Sequence, residues 1–260
     1  MMAFYKPEEI TEIATNTGVS KASASILKML ILGFFGGAFI AFGFLLDIRV
    51  MGTMPAEWGS FATFIGAAVF PIGLILVLLA GADLITGNMM TVAMAFYSKK
   101  VTMTMLARNW FFVTLANLLG ALFIAYFFGH YLGLTEGAFA EKTIAIAQGK
   151  VDATFMQIFI SGIGCNWLVC LAVWLCFGAQ DFVGKIVGIW FPVMAFVTIG
   201  FQHVVANMFV IPAGIFAGGA ITWGDFLHNV VPAFLGNVVG GAVFVGLAYY
   251  VAYQKKAVKS

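Results

Sequence analysis

Charged side chains are what this sequence has least of. Lys and Arg number 13 and Asp and Glu 11 among 260 residues, 9% in all, where a soluble domain carries roughly 25%. A water-facing surface of ordinary charge density cannot be assembled from so few. That excludes a soluble enzyme, a nucleic-acid binder and a disordered chain. The net charge of +2 is too small to argue for a polyanionic partner. Cysteine is scarcer still. Cys165, Cys170 and Cys176 fall in one apolar run, at spacings that do not stack on one helical face and without a companion cluster of His or carboxylate. They read as small packing residues, and no disulfide framework, metal or cofactor is expected. An apolar leader is missing too. The residues before Ile26 include Lys6, Glu8, Glu9, Glu12 and Lys21, so a cleaved signal peptide is not expected. Pro7 followed by two glutamates, with Gly18 further on, predicts a short amphipathic helix there.

What is abundant is apolar. Hydrophobic residues make up 62%, with 28 Phe and 30 Gly, and glycine lets helices approach closely in a bilayer. Runs of about 20 apolar residues, enough to span, start near Ile26, Phe61, Asn109, Thr154, Ile186 and Val230. The expected fold is an all-α membrane protein of six transmembrane helices, one transmembrane domain over 1–260, with lipid as its surroundings. Loops are expected near 47–60, 98–108, 130–153, 178–185 and 218–229. Six crossings return both termini to one side. That side carries ten of the 13 basic residues: Lys6, Lys21, Lys28, Lys99, Lys100, Arg108, Lys185, Lys255, Lys256 and Lys259. Arg49, Lys142 and Lys150 are left for the other. The positive-inside rule then makes both termini cytoplasmic, in the cytoplasmic (inner) membrane.

The second and fifth runs, Phe61–Tyr97 and Ile186–Ala217, are longer than one crossing needs. Each is interrupted by a polar stretch, Gly81-Ala-Asp-Leu-Ile-Thr-Gly-Asn88 and Gly200-Phe-Gln-His-Val-Val-Ala-Asn207. Broken spans in corresponding positions point to a transport site. Gly81, Asn88 and Met89 recur 119 residues later as Gly200, Asn207 and Met208. Asn117-Leu-Leu-Gly120 recurs 120 residues later as Asn237-Val-Val-Gly240. Two matches at nearly one offset indicate a three-span repeat, about 26–130 and about 154–253. Three is odd, so the second copy is inverted and the two breaks can meet near the midplane.

A helix restarted at mid-membrane exposes N–H groups and the positive end of its dipole. Two such ends facing each other favour an anion. Thr86, Asn88 and Asn207 are suited to cap the restarted helices, and Gly81, Gly87 and Gly200 to supply unusual backbone angles. His203 is the foremost candidate, since an ionisable residue at this depth is costly unless functional. It can hydrogen-bond an anion or exchange a proton with it; the plainer reading ties a neutral ring to Thr86 or a backbone carbonyl. Asp83 would repel an anion, so it is expected to accept backbone N–H groups inside the break. Gln202, its counterpart at the same offset, suits the same scaffold role. Lys150 either concentrates anions at the outer mouth or is a plain loop lysine. His130 and His228 fall at loop boundaries, solvated or interfacial. Of the acidic residues, Asp83 alone is expected deep in the membrane.

These segments, with Asn166-Trp-Leu-Val-Cys-Leu-Ala-Val-Trp174 and Pro232-Ala-Phe-Leu-Gly-Asn-Val-Val-Gly-Gly241, resemble the formate–nitrite transporter family along essentially the whole chain. The resemblance implies an aquaporin-like protomer with an inverted repeat, assembled as a homo-pentamer with one pore per protomer. It implies passage of small monovalent anions such as formate, nitrite or hydrosulfide, in many cases with a proton. By motif, the central histidine is His203 and its partner Thr86. Apolar constrictions fall on Phe70, Leu74, Leu84, Val169 and Phe196; polar contacts fall on Asn166, Asn207 and Asn237; and the outer-mouth lysine is Lys150. Many members carry Glu immediately before the histidine, where this chain has Gln202. Cys-Asn-Trp-Leu-Val-Cys is similar to nitrite-type members and Met-Phe-Val-Ile-Pro, 208–212, to formate-type ones. Formate ranks first, with nitrite and hydrosulfide open.

The expected mechanism draws an anion inward by positive potential, lets it take a hydrogen bond or a proton from His203, and carries it across apolar rings more cheaply as a neutral acid. A water or glycerol channel is the rival by architecture, but its paired Asn-Pro-Ala is absent, each Asn here being followed by Met. A membrane enzyme is the rival by class, and no nucleophile–base set or metal-ligand spacing supports it.

Overall fold

The computed structural model describes residues 4–254; Lys255, Lys256 and Lys259, counted above for orientation, lie outside them. The described chain is helical: α1 Pro7–Ala22, α2 Ile26–Met51, α3 Ser60–Val69, α4 Ile72–Leu79, α5 Ile85–Tyr97, α6 Met103–Phe123, α7 Ala140–Val151, α8 Phe155–Gly178, α9 Phe182–Ile199, α10 Val204–Phe216, α11 Trp223–Val238 and α12 Ala248–Tyr253. The third span of each half widens into a π-helix, Ile124–Tyr131 after α6 and Val239–Leu247 between α11 and α12. Six helical stretches are long and apolar enough to cross a membrane, those starting at Ile26, Ser60, Met103, Phe155, Phe182 and Trp223.

Several of these begin earlier than the apolar runs. The reason is capping. Thr102 accepts from the Met105 N–H, Asp181 from Gly184, and Thr222 forms a reciprocal capping box with Asp225, so each helix starts at its polar cap. The expected loop 130–153 is also corrected: half of it is α7, Ala140–Val151, with Lys150 in its last turn. The second span is interrupted at two places, not one. Pro71, without an N–H, separates α3 from α4, and residues 80–84 separate α4 from α5.

The two halves pack alike, α2 on α6 and α8 on α11. A Cβ at Gly37 would overlap the Asn117 carbonyl of α6, and one at Gly240 the Ile163 carbonyl of α8. Small residues let these pairs close to backbone contact. α1 lies along α5, packed through Gly18 against the Thr91 carbonyl. Similarly, α7 lies along α10. The amphipathic N-terminal helix and the helix before α8 thus hold equivalent positions on the two halves.

Candidate functional site

Each break is tied by one asparagine from the third span of its half. Asn117 Oδ1 accepts the Ile85 N–H at 2.9 Å, and its Nδ2 donates to the carbonyls of Gly33 (2.7 Å) and Asp83 (2.9 Å). Asn237 repeats the pattern, accepting from Val204 N–H at 2.9 Å and donating to Gly162 (2.8 Å) and Gln202 (3.0 Å). Backbone groups freed by an intramembrane break must find protein partners, and here both halves supply the same one. The expected caps Thr86, Asn88 and Asn207 are corrected: α5 is preceded by Leu84, which makes no side-chain cap, and α10 by His203, which does. Thr86, Asn88 and Asn207 lie inside the helices because the asparagines have taken over the capping. Gly81 and Gly200 do adopt positive φ, 90° and 85°. Gly87 is an ordinary helical residue of α5.

The helix starts meet. Thr86 Oγ1 and His203 Nε2 are 3.1 Å apart, both buried. His203 Nδ1 accepts the Ala206 N–H at 3.1 Å, so the neutral ring carries its hydrogen on Nε2 and donates it to Thr86. A second proton, on Nδ1, would face the Ala206 donor. Phe196 stacks on the imidazole with centroids 5.7 Å apart, and Phe70 packs edge-on to Phe196 at 5.8 Å. This aromatic pair and His203 border a cavity of about 230 Å³ that also reaches Lys150, Asn207 and Asp47. A second cavity, about 150 Å³, reaches Leu74, Leu84 and Gly81 beside Lys21. Val169 is buried but borders neither.

The asparagines divide into two kinds. Asn166 Nδ2 donates to the carbonyls of Asn237 (2.6 Å) and Thr86 (3.2 Å), so Asn166 and Asn237 brace the breaks. Asn207 borders the larger of these two cavities, and its buried Oδ1 has no hydrogen-bond partner among the described residues.

Asp83 does not accept backbone N–H groups as expected. Its Oδ1 takes the Lys21 ammonium of α1 at 2.8 Å, and Lys21 also donates to Asn88 Oδ1 at 2.7 Å. No offset in the sequence ties Lys21 of α1 to a break. Its geometric twin is Lys150, whose ammonium donates to the carbonyls of Gly200 (3.2 Å) and Phe201 (3.1 Å). Asn109 donates to the Lys21 carbonyl and Asn229 to the Lys150 carbonyl, at 3.1 and 2.6 Å. The halves differ in charge. Gln202 accepts from Asn207 and Asn229, so among the described residues Lys150 forms no ion pair. Desolvation lowers the pKa of its ammonium from the ordinary lysine value, opposed by nearby Cys165 and Asp47.

Asp47 is a further correction. Expected at a loop edge, it is buried in α2, 2% exposed. It follows an apolar stretch one helical turn before Met51, a register that a helical wheel places inward with Gly43 and Phe44. His130 and His228 are peripheral, His130 paired with Glu136 and His228 exposed beside the Ala153 carbonyl.

Residues 8–251 match the family model described as formate/nitrite transporter. The chain is 67% identical to the uncharacterized transporter YrhG of Bacillus subtilis, over 98% of this chain and 96% of that one. It is 59% identical to the formate channel BtFdhC of Bacillus thuringiensis, covering 98% of each. Among solved structures it resembles a pentameric formate channel with formate bound, at TM-score 0.77 and 31% identity, covering 88% of this chain and 98% of that one.

Proposed function

The chain belongs to the formate/nitrite transporter family, and we propose that within it this protein conducts formate through a pore in each protomer of a homo-pentamer. The observation that carries the reading is the buried Thr86–His203 contact between two restarted helices, with apolar side chains around it and a lysine at each approach. That some relatives are described as formate channels supports putting formate ahead of nitrite and hydrosulfide. Lys21 faces the cytoplasm and Lys150 the outside, following the distribution of basic residues.

In this mechanism an anion approaching along the larger cavity meets Lys150 and then the Phe70–Phe196 pair. The aromatic faces penalise a bare charge, so the anion crosses best when a proton travels with it. At the centre His203 donates Nε2–H to the oxygen of the solute, replacing its bond to Thr86. The proton is not drawn from Nδ1, which is already occupied as an acceptor for Ala206. His203 therefore acts as a fixed donor, with the partner proton joining outside the constriction. Leu74 and Leu84 form the apolar passage on the other side.

Uptake by proteoliposomes tests this directly. Formate flux is expected to exceed that of nitrite and hydrosulfide, with water permeability near that of empty vesicles. His203→Leu is expected to lower formate flux by about tenfold or more, the loss of one buried hydrogen bond to an anion. No formate flux above empty vesicles would overturn the assignment. Equal flux in wild type and His203→Leu would overturn the role of the ring.

A further inference from the structure

We propose that Asp47 and Lys150 form a loading site for one small monocarboxylate in the outer cavity. There the protonated Asp47 carboxyl donates its O–H to the anion. The inference rests on the formate reading and adds a residue that the motifs do not contain.

The geometry comes first. Asp47 borders the same cavity as Lys150, His203 and Asn207. Its Oδ1 is buried and has no hydrogen-bond partner among the described residues. It lies over Gly66 of α3, where any Cβ would collide with that oxygen. The fold has left a notch for a carboxyl and then supplied it with no donor. A buried carboxylate without donors is costly as an anion and far cheaper as the neutral acid. A cavity that also holds an unpaired buried amide oxygen, on Asn207, offers acceptors in excess. A proton on Asp47 is the donor such a site lacks.

The charged and titratable groups facing Asp47 are few. Lys142 and Lys150, both of α7, lie within its electrostatic reach, with the Cys165 thiol behind Lys150. His203 borders the cavity from the second break. α3 carries no charged residue. Arg49, two residues on in α2, is turned away, over the Phe139 ring and toward the Leu134 carbonyl.

The two states of Asp47 then differ for an incoming anion. Ionised, the carboxylate cancels one lysine charge and repels a second carboxylate. Protonated, it leaves both ammonium charges uncompensated and adds a hydrogen bond between carboxyl and carboxylate. Outside acidity thus favours loading of an anion and a proton together, ahead of the Phe70–Phe196 pair. No bond needs to break at this stage: the proton is shared between two carboxyl groups and was taken up from the outer water.

The test compares Asp47→Asn with wild type for formate uptake by proteoliposomes, with equal pH inside and out, from about pH 6 to about pH 8. Asparagine keeps a donor and cannot ionise. The ratio of mutant to wild-type uptake is expected to rise with pH, by at least about threefold over this range, because ionisation removes about tenfold of the protonated form per pH unit above the carboxyl's own pKa. Taking the ratio cancels the pH dependence of formate itself. A constant ratio overturns the proposal. Lys142→Gln supplies a second, independent readout: losing a facing cation makes ionisation harder, so the pH midpoint of uptake is expected to move upward. An unmoved midpoint also overturns it. Wild-type vesicles without formate flux would instead defeat the formate reading itself.

Discussion

Asparagine, more than histidine, decides what this site can be. Asn117 and Asn237 each satisfy an N–H and a carbonyl of an interrupted span with one amide, and also reach a carbonyl of a neighbouring helix, Gly33 of α2 or Gly162 of α8. Losing either removes the amide partner of a buried N–H and a buried carbonyl of the break, at about 1–3 kcal/mol for each group. Asn237→Leu is therefore expected to lower the thermal midpoint of the detergent-solubilised protein by several degrees, with Asn117→Leu doing the same. Intrinsic tryptophan fluorescence or light scattering during heating checks this. A variant as stable as wild type would mean that water, not the amide, serves these groups. At this scale the sequence was partly legible. The recurrence of Asn117 as Asn237 was visible from its offset. What the offset could not reveal is that these residues cap the half-helices in place of Thr86, Asn88 and Asn207, because that capping runs between spans distant along the chain.

At the scale of elements, α1 and α7 are the informative pair. Both are amphipathic, both carry a lysine one residue before their end, and both lie along a half-helix through tertiary contacts. Hydrophobic periodicity announced the spans well, since lipid demands long apolar runs. It was blind to α7, whose apolar stretch, Ile144–Ala147, is too short to stand out as a span. The third, fifth and sixth spans start earlier than their apolar runs for a related reason. An apolar count begins where water ends, whereas a helix begins at Thr102, Asp181 or Thr222, where a side chain can take the first N–H. The Lys21–Asp83 pair is what fastens α1 to its break, with the ammonium only partly shielded from water. Asp83→Asn is expected to weaken that attachment by about 1–2 kcal/mol. Hydrogen exchange should then speed up in α1 and little elsewhere. Uniform exchange across the molecule would show that the pair supports the whole fold instead.

The molecule as a whole follows from duplication under one constraint, that no backbone polar group be left in hydrocarbon. The six spans, the paired breaks and the inverted arrangement could be read from runs, offsets and an odd number of crossings. Buried charge could not. Asp47 stood at the end of an apolar run and looked like a loop residue, and only the packing of Gly66 against it fixes it inside. Lys21 counted for orientation alone until α1 brought it to Asp83. The charged residues are few, and the ones that matter were those whose partners sit far away in sequence.

A passage built from two inverted copies begins with no preferred direction, since reversing the membrane exchanges one copy for the other. Asp83 and Gln202 break that equivalence. One end holds its lysine in an ion pair, the other leaves its lysine to carbonyl oxygens. The two mouths thus differ by about one elementary charge, enough for rectification. Under equal and opposite formate gradients, flux is expected to be larger in one direction, and Gln202→Glu should reduce the inequality by restoring a carboxylate beside Lys150. Uptake and efflux of labelled formate in vesicles of uniform protein orientation, at matched gradients, read this directly. Equal fluxes in the wild type would place the control of direction elsewhere; unequal fluxes that Gln202→Glu evens out would place it at this position. A single amide in place of a carboxylate would then be what turns a symmetric conduit into a one-way preference.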